Sequence, residues 1–442
     1  MDPIETLISA RWLVPVEPEG VALENYSVAV AKGRIIAVLP TDAARQRFSP
    51  AEEIELPQHA LLPGLVNLHT HAAMTLMRGL ADDLSLMRWL KEHIWPAEAK
   101  HVSPDFVYDG TLIACAEMLR GGITCMNDMY FFPDAAARAV ADSGMRATIG
   151  IIAIEFPTAY ASDPDDYLAK GLATRDAFKR NPLIGFSMAP HAPYTVSDKT
   201  FEKIVTIAEE LDLPVHLHLH ETQDEIRESV ATHGRRPLER IRALGVLGPR
   251  LIAVHSVHLQ AEEIDALALH GSSVAHCPSS NLKLASGFAP VAALLRKGVN
   301  LGLGTDGAAS NNRLDMFQEM RTAALLAKAV SNDPEAMPAA KAIHAATLGG
   351  AKSLGLDTEI GSILPGKSAD LTAVKLTGPE LSPCFDPISH LVYAAGRENV
   401  THVWVSGRLL VSERHFLTLD EADLDNRAGL WQNHLALETK AY

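Results

Sequence analysis

"SDKTFEKIVTIAEELDL" (197–213), followed at once by "PVHLHLHE" (214–221), decides the fold. The first part opens on serine, a good helix N-cap, and keeps its apolar residues at helical spacing. The second is a short apolar run of strand character, so the pair reads as a helix delivering the chain to a strand. Similar apolar runs recur on either side, separated by amphipathic helical stretches. Before it come "LLPGLVNLHTH" (61–71), "ITCMNDMY" (123–130), "RATIGIIAI" (146–154) and "LIGFSMAPH" (183–191). After it come "LIAVHSVH" (251–258), "SSVAHCPSS" (272–280) and "NLGLGTDGA" (300–308). Eight strands alternating with helices predict an α/β protein built on a TIM-type (β/α)8 barrel. An open doubly wound sheet is the alternative, but no glycine-rich phosphate loop follows the first strand.

The flanks have another texture. "ETLISARWLVPV", "YSVAVAKGRIIAVLP" and "EEIELPQHALLPG" near the start are short β-rich runs cut by Gly, Pro and Asn. "GSILPGKSADLTAVKL" and "VTHVWVSGRLLVSERHF" near the end look alike. The expected organisation is residues 1–60 as the first part of a small β-sandwich and 61–360 as the barrel. Residues 361–442 then complete the sandwich, and "DEADLDNRAGLWQNHLALETKAY" (420–442) adds a terminal helix.

Composition bounds the function. At 442 residues one large and one small domain are expected, and 47% hydrophobic with 21% charged residues is ordinary for a soluble protein. A net charge of −15 argues against nucleic acid or an acidic membrane surface as partner and suits a small neutral substrate. No run of about 18 apolar residues suggests a membrane span. "MDPIETLISARW" lacks a basic-then-apolar leader. Four scattered cysteines (Cys115, Cys125, Cys277, Cys384) read as reduced thiols, so the expected location is cytoplasmic. Oligomeric state stays open, a homo-oligomer included.

In a barrel of this type chemistry sits at the C-terminal strand ends. His69 and His71 end the first strand and His191 the fourth. His216, His218 and His220 share one face of the fifth, His255 and His258 end the sixth, and Asp306 ends the eighth. Singly these are weak signals, since a His-x-His pair is often just half-buried packing and an Asp between Thr and Gly is usually a turn. Together, two histidines from strand one, one from strand five and an aspartate from strand eight form a shell for Zn²⁺ or Fe²⁺ with a position left for water.

"PGLVNLHTHAAMTLMRGLADDLSL", "HLHETQDE", "SSNLKLASGFAPV" and "LGTDGAASNNRLDMFQEMR" resemble the amidohydrolase superfamily, and within it the 5-methylthioadenosine/S-adenosylhomocysteine deaminase group. The resemblance spans nearly the whole chain, including the "GKSADL" element after the barrel. It implies one zinc held by His69, His71, His218 and Asp306, with Fe²⁺ or Mn²⁺ as alternatives. The fourth run has no lysine where two-metal relatives carry a carbamylated one, which favours a single ion.

The implied reaction is hydrolytic deamination of a 6-aminopurine nucleoside to the inosine analogue and ammonia. Zinc lowers the pKa of water toward about 7, giving a hydroxide to attack C6. Glu221, three residues after the strand-five ligand, is the implied acid toward the ring nitrogen. Asp306 would pass the water's proton to the leaving ammonia, and His255 would orient the hydroxide. Glu98 sits where this group binds the two ribose hydroxyls, His191 resembles a purine- or ribose-side contact, and Trp89 walls the 5′ substituent. Ser310 and Asn281 receive no role.

The loop "EFPTAYASDPDD" after the third strand carries no cation, which favours methylthioadenosine over the carboxylate-bearing S-adenosylhomocysteine, unless Arg78 or Arg313 reaches the site. Plain adenosine is a further candidate. The competing readings are a free-base or triazine hydrolase, guanine deaminase-like, and a catalytically inactive binding barrel. Of the strand-five histidines, His216 should lie deepest as a hydrogen-bonded structural residue, and His220 on the rim as a bystander. The resemblance, not the strand geometry, selects His218.

Overall fold

The structure, a computed structural model, describes residues 1–439. The strands are β1 (Asp2–Leu13), β2 (Leu23–Ala31), β3 (Arg34–Pro40), β4 (Phe48–Pro63), β5 (Leu65–Thr70), β6 (Ile123–Asp128), β7 (Arg146–Ala153) and β8 (Ile184–Pro190). They continue as β9 (Val215–Leu219), β10 (Leu251–His255), β11 (Ser273–His276), β12 (Asn300–Leu303), β13 (Leu371–Lys375), β14 (Val400–Val405), β15 (Arg408–Ser412) and β16 (His415–Phe416).

β5 to β12 form one sheet in sequence order with every neighbour parallel, the barrel expected from the eight runs. These strands are almost wholly buried because helices cover the outside and side chains fill the inside. The deciding helix spans Asp198–Leu211, with the Ser197 hydroxyl accepting from the Thr200 N–H at 3.3 Å. It buries Thr200, Phe201, Ile204 and Ala208, one stripe at spacings of one, three and four.

Closure is made by side chains as much as by backbone. The Asp306 N–H donates to the His69 carbonyl at 3.0 Å. Asn67 spans the seam, accepting from the Thr305 N–H at 3.0 Å and donating to the Thr305 hydroxyl at 2.8 Å. Gly304 allows this approach, since a Cβ there would stand 2.8 Å from both the N and Cβ of His69.

The remaining strands form a second sheet in the order β16-β15-β14-β13-β4-β1-β2-β3, so both flanks of the chain share it. Its centre pairs β1 with β4 in parallel and β4 with β13 antiparallel. The sheet bends over a core of its own, where Ile8, Val28, Leu61, Leu371 and Trp404 meet, and Arg34 bridges across to Ser368. β4 leads straight into the barrel through Gly64 alone. One departure from the all-β reading of the first segment is a helix at Thr41–Arg47, with Asp42 in its first turn and Arg45 and Arg47 in its last, as its dipole favours. The terminal helix runs Glu421–Thr439, and residues 440–442 of the expected helix lie outside the described residues. No helix among the described residues is long and apolar enough to cross a membrane.

Candidate metal centre and active site

At the C-terminal end of the barrel, His69, His71, His218 and Asp306 converge, each offering a ligand atom within 4.8 Å of the others. The backbone fixes how each imidazole presents itself. His71 donates its Nδ1–H to the Met129 carbonyl at 2.6 Å, and His218 donates its Nδ1–H to the His191 carbonyl at 2.6 Å. Each ring is therefore oriented with Nε2 toward the site, the atom a neutral imidazole presents to a cation. His69 is oriented from behind by His216, whose Nε2 lies 2.8 Å from His69 Nδ1. Burial, then the neighbouring imidazoles, holds His218 well below its ordinary pKa and so neutral. These donors fit one divalent ion of the zinc type.

Asp306 Oδ1 lies 3.1 Å from His69 Nε2 and 3.2 Å from His71 Nε2. Its other oxygen accepts from two hydroxyls, Ser280 Oγ and Ser310 Oγ, each at 2.7 Å. This pair fixes which carboxylate oxygen faces the histidines. Burial would raise the Asp306 carboxyl, but the contacts to His69 and His71 hold it well below the usual range.

Glu221 and His255 stand beside this group, with His255 Nε2 3.6 Å from Glu221 Oε2. Glu221 accepts from the Ser286 hydroxyl at 3.2 Å, and burial raises its pKa, which favours an acid that still holds its proton. Its backbone is clamped by Glu225, whose carboxylate accepts from the N–H groups of His220 (2.9 Å) and Glu221 (2.8 Å). His255 Nδ1 meets Asn281 Oδ1 at 2.8 Å. His220, His255 and Asp306 all take left-handed backbone (φ +57°, +67° and +60°), so three strands end in the same abrupt turn.

A cavity of about 460 Å³ opens onto these groups. Glu98, Trp89 and His191 line it as well, so the expected substrate contacts share one space with the metal group. Glu98 accepts from the Tyr130 hydroxyl at 2.8 Å, and burial pushes its pKa up to about 7. His191 is held near pKa 3 by burial. The Thr195 hydroxyl donates to the Ala192 carbonyl and so accepts the His191 Nδ1–H at 3.0 Å, leaving Nε2 as an acceptor. The remaining wall is largely apolar, with Leu86, Leu90, Ile94, Trp95, Phe131 and Phe156 among its residues.

No lysine or arginine lines this cavity among the described residues. Arg78 is paired with Glu117, and Arg313 lies 3.0 Å from Asp315. His220 faces away, its Nε2 accepting from the Leu238 N–H at 2.9 Å. Asn281, Ser280 and Ser310 are the residues that sequence reasoning left without a role. Ser310 follows Asp306 by four residues, a spacing that could have flagged it. Nothing in "SSN" alone places Ser280 or Asn281 beside groups on other strands.

Residues 60–410 match the amidohydrolase family. A 5-methylthioadenosine/S-adenosylhomocysteine deaminase of Saccharophagus degradans is 47% identical over 97% of this chain and 96% of its own. Its counterpart from Teredinibacter turnerae is 46% identical over 98% of each. The crystal structure of an adenosine deaminase from Xanthomonas campestris with bound zinc is 52% identical, covers 99% of both chains and superposes with a TM-score of 0.98. A matched region running from the end of the first flank to the last strands, with relatives of this identity over nearly full length, places the chain: it belongs to the amidohydrolase family.

Proposed function

We propose that the protein is a zinc-dependent aminohydrolase that converts a 6-aminopurine nucleoside to its inosine analogue and ammonia, with 5′-methylthioadenosine preferred. The observation that carries this reading is a single cavity lined by His71, His218 and Asp306 of the metal-ligand quartet together with two buried carboxyls, Glu221 and Glu98. The names of the relatives support the same reaction class, and the zinc of the Xanthomonas protein supports the choice of ion.

When bound, the ion supplies an activated water near neutral pH. The chain supplies the proton management. Glu221 gives its proton to the ring nitrogen next to the reacting carbon, so attack need not build charge on the purine. Asp306 takes one proton of the water and returns it to the departing amine. The water's other proton, left on the new hydroxyl, restores Glu221 as the carbonyl forms, so one water enters and one ammonia leaves. His255, facing Glu221, orients the water. Glu98 accepts from the two ribose hydroxyls, a geometry that suits a carboxylate.

The cavity wall favours a neutral 5′ group: no arginine or lysine among its described residues pairs with an incoming carboxylate, and Glu98 stands in the same wall. Ammonia release from purified enzyme should therefore be seen with methylthioadenosine, adenosine and S-adenosylhomocysteine, and not with guanine. kcat/KM for methylthioadenosine should exceed that for S-adenosylhomocysteine by roughly 10-fold or more, as expected for an unpaired charged group. Equal values would overturn the 5′ preference, and no release from any nucleoside would overturn the reaction.

Glu98→Gln tests the sugar contact separately. Losing a charged acceptor for a diol should raise KM for nucleosides about 10- to 100-fold. A free base has no diol, so its turnover, where measurable, should not change. Because the carboxyl is held near 7, nucleoside KM should also climb as pH falls below about 7, where Glu98 gains a proton. That slope should vanish in Glu98→Gln.

A further inference from the structure

β11 is the barrel strand whose end supplies neither a metal donor nor a cavity-lining group beside the metal, yet two side chains just after it touch the reacting machinery. The chain passes from β11 through Cys277 into a short helix, Pro278–Lys283. Ser280 and Asn281 are both buried there, at 0% and 2% exposure. Ser280 donates to Asp306, and Asn281 meets His255.

The amide oxygen of Asn281 can only accept, so at 2.8 Å it selects the His255 tautomer with the proton on Nδ1. Nε2, on the side of Glu221, is then a lone pair. The opposite tautomer would put an N–H there, a donor where an acceptor is needed to align a water. The backbone turns left-handed at His255 and Ser256 (φ +67° and +50°), and the Asn281 side chain is the hydrogen-bond partner at His255 Nδ1. The side-chain amide of Asn281 makes no other protein hydrogen bond among the described residues; its Nδ2 has no partner there.

We infer that Asn281 is a positioning residue for the deamination, acting by holding His255 as the Nδ1–H tautomer with Nε2 directed at the reacting water. This rests on the reaction proposed above but concerns a residue outside the metal quartet and outside the cavity wall.

The test compares zinc-loaded wild type, Asn281→Leu and Asn281→Asp. Asn281→Leu is expected to lose about 10- to 100-fold in kcat, the range typical of an outer-shell partner, with KM within about threefold. Its zinc content and melting temperature should stay near wild type. Asn281→Asp keeps an acceptor at Nδ1 and should hold kcat within about fivefold of wild type. The direct readout is the ¹⁵N NMR signature of the His255 ring, assigned by its loss in His255→Gln. Wild type and Asn281→Asp should show protonated Nδ1 and unprotonated Nε2, and Asn281→Leu a mixture of tautomers. A wild-type ring protonated on Nε2, or kcat unchanged in Asn281→Leu, would overturn the inference. Should Asn281→Leu not fold, Asn281→Ala takes its place with the same readouts. The NMR result needs no substrate, so a locked tautomer in an enzyme that deaminates no nucleoside would sink the proposed reaction and leave the positioning intact.

Discussion

His218→Asn is expected to lose the metal, while His220→Asn two residues away keeps it. In the first variant the quartet becomes a triad of His69, His71 and Asp306, and an amide replaces an imidazole held by the His191 carbonyl. Without the ion the water keeps a pKa near its bulk value of about 15.7 rather than near 7, so kcat/KM should drop by at least about 10³-fold. In the second variant the lost contacts include the Leu238 N–H at 2.9 Å and the His258 carbonyl at 3.2 Å, both outside the cavity. Asparagine tolerates the φ of +57° at this position, so the substitution removes the side chain without forcing the turn. The expected cost is about 1–3 kcal/mol of stability with zinc near one per chain, read by metal analysis and a melting curve. A zinc-free His220→Asn with normal folding would show that the wrong histidine has been assigned.

Glu221→Gln should be the second large effect. Glutamine matches glutamate in size and can keep the Ser286 contact, but it has no proton to give. Loss of a general acid costs about 10²- to 10⁴-fold, and here the loss should fall on kcat with metal content and KM nearly unchanged. Because burial raises the Glu221 carboxyl, wild-type kcat should decline on the alkaline side as the acid ionises, and this limb should be missing from the residual activity of Glu221→Gln. A variant with wild-type kcat would remove Glu221 from the proton path and leave His255 as the nearest alternative.

Periodicity carried the barrel. Each of the eight apolar runs contains a barrel strand, since a strand buried on both faces must be a short unbroken apolar run and the helices between must be striped. The pairing of the two flanks was also readable in outline, because two strand-rich segments of like texture can each cover one edge of the other. Local sequence says little about what reaches across from another strand. Asn67 and Asn281 look like ordinary polar residues until the fold puts Thr305 beside one and His255 beside the other. The three histidines of β9 show the same limit. Their shared face was legible, but His216 bonds to a ligand, His218 is placed as one, and His220 is turned aside by the left-handed bend at its own position. That bend is a property of the tertiary packing, which includes the clamp from Glu225, and no two-residue spacing encodes it.

The route of β4 has a consequence for synthesis. It is the central strand that meets β1 on one side and β13 on the other, and β13 begins only at Leu371. A ribosome adding roughly 5–20 residues per second needs about 15–60 s between the end of β4 and the arrival of its partner. Through that interval the nascent chain must hold a half-sheet with one open edge, assemble the entire barrel, and still leave that edge free. The charged residues Glu52, Glu53 and Glu55 in the first half of β4 hinder strangers from pairing there. The apolar last four residues, Ala60–Pro63, are the part most exposed to mispairing. Stalled or truncated chains ending before residue 371 should therefore aggregate through this edge, even when their barrel is whole.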